Sequence, residues 1–318
     1  MGKRIAVIGA TGALGKLVVE SLLALEAEVV ALVRDATDEE KRADLRQQGG
    51  DVREVDFDSH DSLVEALDDI DVVMSTVSGL RPVIVDLQLA LFRAARDAGV
   101  AKFMPSDYAI DFRKVPPGDN RNLNLRLDFL NALEAEQQGT LAVTSILNGA
   151  FLDMLDGTAP YLIHPIRRSL CWGDCDQPLD FTTMGNTAAY AAHAALDQSS
   201  PRWLMIAGQV ATPRELAEIA SRASGRTYKL MRPGSLGLFR KLIGLTKTLT
   251  PKSDAHYPAW QGMQYMENMM RGDVKFPSLD NDRYSIEWVD AERFLKAEVF
   301  KNAVPADQVR TPDEPVLS

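Results

Sequence analysis

The chain has 318 residues, of which 46% are hydrophobic, and it carries a formal net charge of −10 at pH 7. A chain of this length can bury a large core, and we expect one large domain followed by a smaller one. The acidic balance argues against nucleic acid or acidic membranes as general partners.

The segment IAVIGATGALGKLV, at residues 5–18, joins a predicted strand to a predicted helix. Its first four residues are uncharged and mostly β-branched, which is typical of a strand buried on both faces of a parallel sheet. From Lys16 onward apolar residues recur at helical spacing. The loop between them therefore connects the carboxyl end of a strand to the start of a helix.

Three glycines lie in this loop, and each has a role if the loop holds a pyrophosphate. Gly9 permits the tight turn, Gly12 lets the backbone approach the phosphates, and Gly15 lets the helix pack closely on the strand. The N–H groups and the dipole at the helix start favour an anion there. The alternative is an ordinary glycine turn between two core elements, but the strand–loop–helix context favours phosphate binding.

Strands and helices continue to alternate along the first half of the chain. Strands are predicted at 28–34, 52–57, 72–77, 102–104 and 142–147, and helices at 37–48, 61–68 and 83–98. This alternation predicts an α/β fold, a Rossmann-type doubly wound parallel sheet. We place the cofactor-binding domain at 1–152, with further elements of it around 180–220. A smaller, mainly helical substrate domain takes most of 153–318.

Ligands of such sheets bind beyond the carboxyl ends of the strands. Arg34 closes the second strand, where an acidic residue suits the 2′-hydroxyl of NAD and an arginine suits the 2′-phosphate of NADP. NADP is therefore the predicted cofactor, with NAD as an alternative because Asp35 follows, and an arginine at a strand end is also often a plain surface residue. The predicted cofactor-binding residues are Gly9, Thr11, Gly12, Ala13, Leu14, Gly15, Arg34, Asp56, Phe57, Val77, Ser78, Gly79, Pro105, Ser106, Asn148 and Phe151.

The second half of the chain is less regular. Residues 153–180 contain several prolines and glycines and are predicted to form a loop. A helix is predicted over 182–196 and a strand over 203–207, and the capping box TPRE, which starts at Thr212, begins a further helix. The segment 230–280 is rich in methionine and aromatic residues, which either pack in the core or line an apolar pocket.

The cysteines and histidines show no pattern of a metal site. Cys171 and Cys175 have a C-x3-C spacing without nearby ligand histidines, and we interpret them as reduced structural thiols. The histidines share no metal-ligand spacing; they are His60, His164, His193 and His256. Since the sequence has no signal-peptide pattern and no apolar run long enough to span a membrane, we expect a cytoplasmic protein.

Four segments together resemble the NmrA-like proteins, a group of atypical short-chain dehydrogenases/reductases that includes isoflavone reductase. They are GATGALG at 9–15, Arg34, KFMPSDYAIDF at 102–112 and TSILNGAF at 144–151. NDRYSIEW at 281–288 and the Met-rich segment are similar to the C-terminal half of one bacterial branch. The resemblance implies a Rossmann-type cofactor domain, a small substrate domain, and NADP(H) or NAD(H) in the cleft between them.

The catalytic pattern is where the sequence departs from these relatives. Short-chain dehydrogenases use Tyr-x-x-x-Lys, and none of the seven tyrosines here has a lysine four residues on. The resemblance to isoflavone reductase implies a catalytic lysine on the helix before TSILNGAF, and that position falls on Arg126. A guanidinium cannot shuttle a proton, but it can stabilise an oxyanion, hold a phosphate, or pair with Asp128 or Glu134. Arg126 is the first candidate catalytic residue, and Tyr108 is the next candidate acid.

Two classes of function remain. The first is an NAD(P)H-dependent reductase of a small aromatic or conjugated carbonyl, quinone or ether, in a pocket formed by Phe151, Met154 and 230–270. The second is a non-catalytic sensor of the dinucleotide, as the resemblance to NmrA implies. Arg126 in place of lysine favours the sensor, whereas the apolar C-terminal half favours the enzyme. We predict the enzyme, as a monomer or a homodimer.

Overall fold

The computed structural model describes residues 2–136, 139–250 and 258–301. In the first half, strands and helices alternate as the sequence predicts. The first strands are β1 (Arg4–Ile8), β2 (Glu28–Val33), β3 (Asp51–Glu54), β4 (Val72–Ser75), β5 (Lys102–Met104) and β6 (Ala142–Val143). They form one parallel sheet in the order β3-β2-β1-β4-β5-β6. This is the strand order of a dinucleotide-binding fold, and the predicted fold class is confirmed.

The helices of the first half are α1 (Ala13–Ala24), α2 (Glu39–Gln47), α3 (His60–Ala66), α4 (Gln88–Asp97) and α5 (Arg121–Glu136). The helix predicted at 83–98 begins with a π-helical segment, Pro82–Leu87, which runs directly into α4. Wider turns of this kind often occur at functional sites, and this one follows the end of β4.

In the second half the strands are β7 (Ser145–Leu147), β8 (Ala150–Phe151), β9 (Leu162–Ile163), β10 (Arg168–Trp172), β11 (Leu179–Thr182), β12 (Trp203–Met205), β13 (Gln209–Ala211) and β14 (Lys229–Gly234). The helices are α6 (Met184–Leu196), α7 (Pro213–Ser224), α8 (Leu236–Leu249), α9 (Ala259–Arg271) and α10 (Ala291–Phe294). The predicted helix at 182–196, the strand at 203–207 and the capping box of Thr212 and Glu215 are confirmed.

Two predicted segments differ from the structure. The loop predicted at 153–180 is wrong, because it contains β9, β10 and the start of β11; its prolines and glycines separate short strands instead of preventing them. The strand predicted at 142–147 divides at Thr144, since β6 pairs with β5 whereas β7 pairs with β12.

The two cysteines are joined in a disulfide bond, so their interpretation as reduced thiols is wrong. Cys171 lies on β10, which ends at Trp172. The chain then reverses at Gly173, whose φ of 77° lies in the left-handed region, and brings Cys175 back beside its partner. The C-x3-C spacing gave no sign of this pairing, which depends on the turn.

Apolar side chains cover both faces of the six-stranded sheet. Ile5 and Val7 pack with residues of α1 and α6, whereas Ala6 and Ile8 pack with residues of α3, α4 and α5. Alternate residues of a strand point to opposite faces, so a strand buried on both faces is apolar throughout.

A third apolar cluster contains residues from both sides of position 152, among them Phe112, Leu147, Phe181 and Met266. The division into two domains at that position stays a prediction. Within the described ranges, none of the helices has both the length and the apolar character needed to cross a bilayer.

Candidate functional site

The glycine loop connects β1 directly to α1. Gly9 has a φ of 83°, and the amide of Gly12 donates a hydrogen bond to its carbonyl over 2.9 Å. A β-carbon on Gly15 would overlap the carbonyl oxygen of Gly9. Close packing of the helix on the loop therefore requires glycine at position 15.

The N-terminus of α1 has no competing side chain. Gly12 precedes the helix, no side chain caps its first N–H groups, and its first turn has no acidic residue. Gly12 and Ala13 are exposed, and Thr11 and Leu14 are partly buried. The first N–H groups of a helix lack partners within it, so this end can bind an anion such as a phosphate.

A groove of about 560 Å³ lies at the ends of β2 and β3. It is lined by Arg34 after β2, by Val55 to Asp58 after β3, and by residues of the π-helical segment and α4. The Arg34 guanidinium is exposed, lies 5.9 Å from the centre of the Phe57 ring and forms no ion pair with a described residue. The structure thus brings Arg34, Asp56 and Phe57 together at one edge of the sheet.

The backbone after β2 is held by an arginine that sequence reasoning missed. Arg42 of α2 is buried, pairs with Glu54 and donates hydrogen bonds to the carbonyls of Arg34 and Asp35. The sequence gives little indication of this role, because arginines are common on exposed helices. Its effect is to fix the turn that presents the Arg34 side chain.

The ends of β4 and β5 are tied together by Ser106. Its hydroxyl donates to the carbonyl of Val77 over 2.8 Å, and its amide donates to the side-chain carbonyl of Gln88 over 2.8 Å. Gln88 is fully buried on α4 and was also missed by sequence reasoning. These bonds hold the predicted residues of the two strand ends, at 77–79 and 105–106, next to each other.

The end of β7 is fixed by bonds to α6 and β11. The side chain of Asn148 donates to Thr187 over 3.4 Å, and the hydroxyl of Thr182 donates to the Asn148 carbonyl over 2.8 Å. Phe151 is partly buried against the same apolar cluster that contains Tyr108. These bonds hold Asn148 in a buried position, and its role in binding the cofactor stays a prediction, as does that of Phe151.

Arg126 projects from α5 into the interior and is only 6% exposed. Its Nε atom donates no hydrogen bond to any described residue. Its positive charge is one of three that act on Asp107, a buried carboxylate just beyond β5. The candidate catalytic guanidinium thus has a second role available, that of balancing a buried negative charge.

Asp107 was missed as a site residue, although it lies inside the segment KFMPSDYAIDF. One carboxylate oxygen accepts a hydrogen bond from the hydroxyl of Ser145 over 2.7 Å, and the other has no partner among the described residues. Burial raises the pKa of the Asp107 carboxyl. The Ser145 bond and the charges of three arginines oppose that rise; they are Arg126, Arg202 and Arg113.

Tyr108 is buried beside Ala10 and Ile146, and its hydroxyl has no hydrogen-bond partner among the described residues. Burial raises the pKa of its phenol far above the ordinary value, and the negative charge of Asp107 raises it further. The group therefore stays protonated at working pH and can donate a hydrogen bond, but it releases its proton reluctantly.

The methionines of α9 pack mainly in the core. Met266, Met269 and Met270 are buried, and the hydroxyl of Tyr161 donates to the sulfur of Met269 over 3.2 Å. Met269 also borders a small crevice beside Gly149. These three residues therefore pack in the core, which is the first of the two alternatives given for the segment 230–280.

The histidines form no recognisable metal site in the described part of the chain. His256 lies outside the described residues. Among the described residues, no group of three or more His, Cys, Asp or Glu side chains is arranged to hold a metal.

Known proteins resemble the chain over most of its length. The model of the NmrA-like family matches residues 1–270. A bifunctional pinoresinol-lariciresinol reductase from Linum usitatissimum is 29% identical over 71% of this chain and 76% of its own. An isoflavone reductase homolog from Arabidopsis thaliana, P3, is 32% identical over 61% and 65%. The solved structure of AtPrR2 with NADP+ and (+)pinoresinol superposes with a TM-score of 0.77 at 22% identity, covering 93% of this chain and 98% of the other.

Proposed function

Because the chain belongs to the NmrA-like family, we propose that it is an NADP(H)-dependent reductase of a small, apolar, aromatic or conjugated substrate. The observation that carries the proposal is the combination of an uncapped N-terminus of α1 with an exposed Arg34 that forms no ion pair with a described residue. Relatives whose names identify them as pinoresinol-lariciresinol and isoflavone reductase-like proteins support the reductase over the sensor.

The residues present fit NADP(H). The exposed Gly12 leaves room for a pyrophosphate at the start of α1, and Arg34 offers a forked, charged contact for a 2′-phosphate. A groove of about 560 Å³ beside Phe57 is of the size that ligands occupy. NAD(H) remains the alternative because Asp35 is also exposed at this edge.

The reaction would use the hydride that a reduced nicotinamide supplies when bound. Arg126 would place a fixed positive charge near the acceptor oxygen, and Tyr108 would donate a hydrogen bond to it. Neither residue can act as lysine does, because the guanidinium stays protonated and burial raises the pKa of the phenol. Phe151 and the exposed Met154 would contact the apolar part of the substrate.

The sensor remains the second candidate, and one observation favours it. The positive charge of Arg126 acts on the buried carboxylate of Asp107, so a structural role accounts for the guanidinium without catalysis. A protein that binds the dinucleotide without turnover would need only the glycine loop and Arg34.

Oxidation of NADPH against a panel of quinones, enones and lignan-type ethers tests the proposal. Binding of NADPH and NADH is measured on the same protein by calorimetry, with Gly12→Val as the control that blocks the cofactor. If the wild type reduces an acceptor and the Gly12→Val variant does not, the result supports the reductase. If the wild type binds NADPH tightly but reduces no acceptor of the panel, the result supports the sensor. A wild type that neither binds nor oxidises NADPH overturns the cofactor site.

A cytoplasmic location is also part of the proposal. Reducing compartments keep most thiols reduced, so the pairing of Cys171 with Cys175 bears on it. Thiol alkylation at the moment of cell lysis, followed by mass spectrometry, reports the state of both cysteines. Two alkylated thiols would support a cytoplasmic location, and an intact disulfide bond would indicate an oxidising compartment.

A further inference from the structure

Positive charge is concentrated in one segment of this acidic chain. Residues 222–250 contain seven lysines and arginines and no aspartate or glutamate, although the whole chain has a net charge of −10. The segment covers the end of α7, the edge strand β14 and all of α8. The charge excess therefore belongs to a defined part of the fold.

Most of these charges are not neutralised within the protein. Arg222 pairs with Glu292 and Arg240 pairs with Glu267. The remaining five form no ion pair with a described residue; they are Arg226, Lys229, Arg232, Lys241 and Lys247. Lys247 instead lies 5.2 Å from the ring centre of Trp260. Lys229 is also paired in register with Arg168 of β10, which adds to the positive potential of the sheet edge.

Helix α8 exposes a row of leucines, with Lys241 next to it on the helix surface. Leu238, Leu242, Leu245 and Leu249 are 50%, 39%, 55% and 73% exposed. Their spacing of four, three and four residues places them on one face of the helix. Phe239 and Ile243 are buried on another side, so the helix is anchored to the protein while the leucine face meets solvent.

We infer that α8 and β14 form a docking surface for an anionic lipid bilayer. An exposed leucine row with Lys241 beside it, preceded by the basic residues Lys229 and Arg232 of β14, suits the boundary of headgroups and acyl chains, where leucines lose water and basic side chains meet phosphate. The net negative charge elsewhere opposes contact with the same membrane, so it orients the protein with this face inward. The net charge of the whole chain argues only against a general affinity for acidic membranes, whereas the proposed docking surface is local.

Two other occupants fit the surface less well. A second copy of the chain would bring Lys241 and its neighbours against the same positive residues, with no acidic residue in the segment to pair with them. A nucleic acid would satisfy the basic residues but would gain little from four exposed leucines. The bilayer is the occupant that uses both features, and this inference does not depend on the proposed reductase activity.

Vesicle flotation of the full chain tests the inference. We expect binding to vesicles of phosphatidylcholine with phosphatidylglycerol, much weaker binding to phosphatidylcholine alone, and release of the bound protein by salt. Lys229→Glu/Lys241→Glu and Leu242→Ser/Leu245→Ser should each lower the partition coefficient by about tenfold or more. Lys41→Glu/Arg46→Glu on α2 changes the same net charge at another exposed site and should have a smaller effect.

Circular dichroism and light scattering accompany each variant, because all of these positions are exposed and should leave the fold intact. Equal binding to neutral and anionic vesicles, or equal loss in the α2 control, would overturn the inference. A wild-type dimer that Leu242→Ser/Leu245→Ser dissociates, without vesicle binding, would assign the face to a second copy instead. NADPH binding should be unchanged throughout, which separates this result from the proposed function.

Discussion

A β-carbon on Gly15 would overlap the carbonyl oxygen of Gly9, whereas one on Gly12 would lie 3.2 Å from the same atom. Gly12, which precedes α1, and Gly15, which lies in its first turn, therefore have different reasons to be glycine. Position 15 is closed by the protein's own backbone, and position 12 faces outward where a ligand would approach.

This difference predicts opposite results for two substitutions. Gly12→Val should keep the fold and abolish dinucleotide binding, because its side chain blocks the approach of the pyrophosphate. Gly15→Ala should destabilise the fold by about 1–3 kcal/mol, since the backbone must move. Calorimetric titration and thermal unfolding separate the two. Retained cofactor affinity in a folded Gly12→Val protein would contradict the loop assignment.

Cofactor choice depends on Arg34. Arg34→Ala should weaken NADPH binding by about tenfold or more and change NADH binding little, because a charge-assisted contact contributes about 1.5–3 kcal/mol. Arg46→Ala, on the exposed side of α2, is the matched control and should affect neither cofactor. Equal loss for both cofactors, or a wild-type preference for NADH, would refute the role of Arg34.

The sequence predicted the parallel sheet well because its strands are buried on both faces and must be apolar throughout. It also predicted that Arg34 lies near Phe57 and Val77 near Ser106, since strand ends in a parallel sheet lie on one side. It failed at 153–180, where two- to five-residue strands are held by partners distant in sequence, such as β14 for β10. Such pairing leaves little periodicity to detect.

Buried polar residues were the other failure. Arg42, Gln88 and Asp107 hold the site in place, yet each depends on a partner that only the fold brings near. The disulfide of Cys171 is of the same kind, because a turn at Gly173 decides it. Local patterns report burial and turns, but not which polar groups meet.

The loop after α6 should respond to acid. Burial opposes ionisation of Asp197, but hydrogen bonds from Ser199, Arg283 and Tyr284 outweigh it and hold the pKa of its carboxyl well below the ordinary value. The stabilisation is complete above the unfolded pKa of about 3.9 and is lost as pH falls through the lower folded value. Asp197→Asn should lower the Tm by a constant amount between about pH 5 and pH 7, and by a smaller amount below about pH 4. A difference that stays constant down to pH ~2 would refute the assignment.

Tyr108 offers a test that separates a binding role from a structural one. Its buried hydroxyl has no partner among the described residues, so Tyr108→Phe should leave stability unchanged or raise it by about 1 kcal/mol. If that hydroxyl donates to the acceptor oxygen, the same variant should lose about tenfold in kcat. Thermal unfolding and NADPH turnover are compared on one preparation. A Tyr108→Phe variant that is less stable but fully active would show that the hydroxyl has a structural role and none in the reaction.

Arg126 is the residue on which catalysis and charge balance make different predictions. Arg126→Ala should cut turnover by about a hundredfold or more with cofactor affinity nearly unchanged, and Arg126→Lys should retain activity. Arg126→Ala should also lower the Tm, because Asp107 loses a neighbouring positive charge. Adding Asp107→Asn should restore stability without restoring turnover, since the neutral amide needs no counter-charge. If the double variant recovers both, Arg126 serves only to balance Asp107.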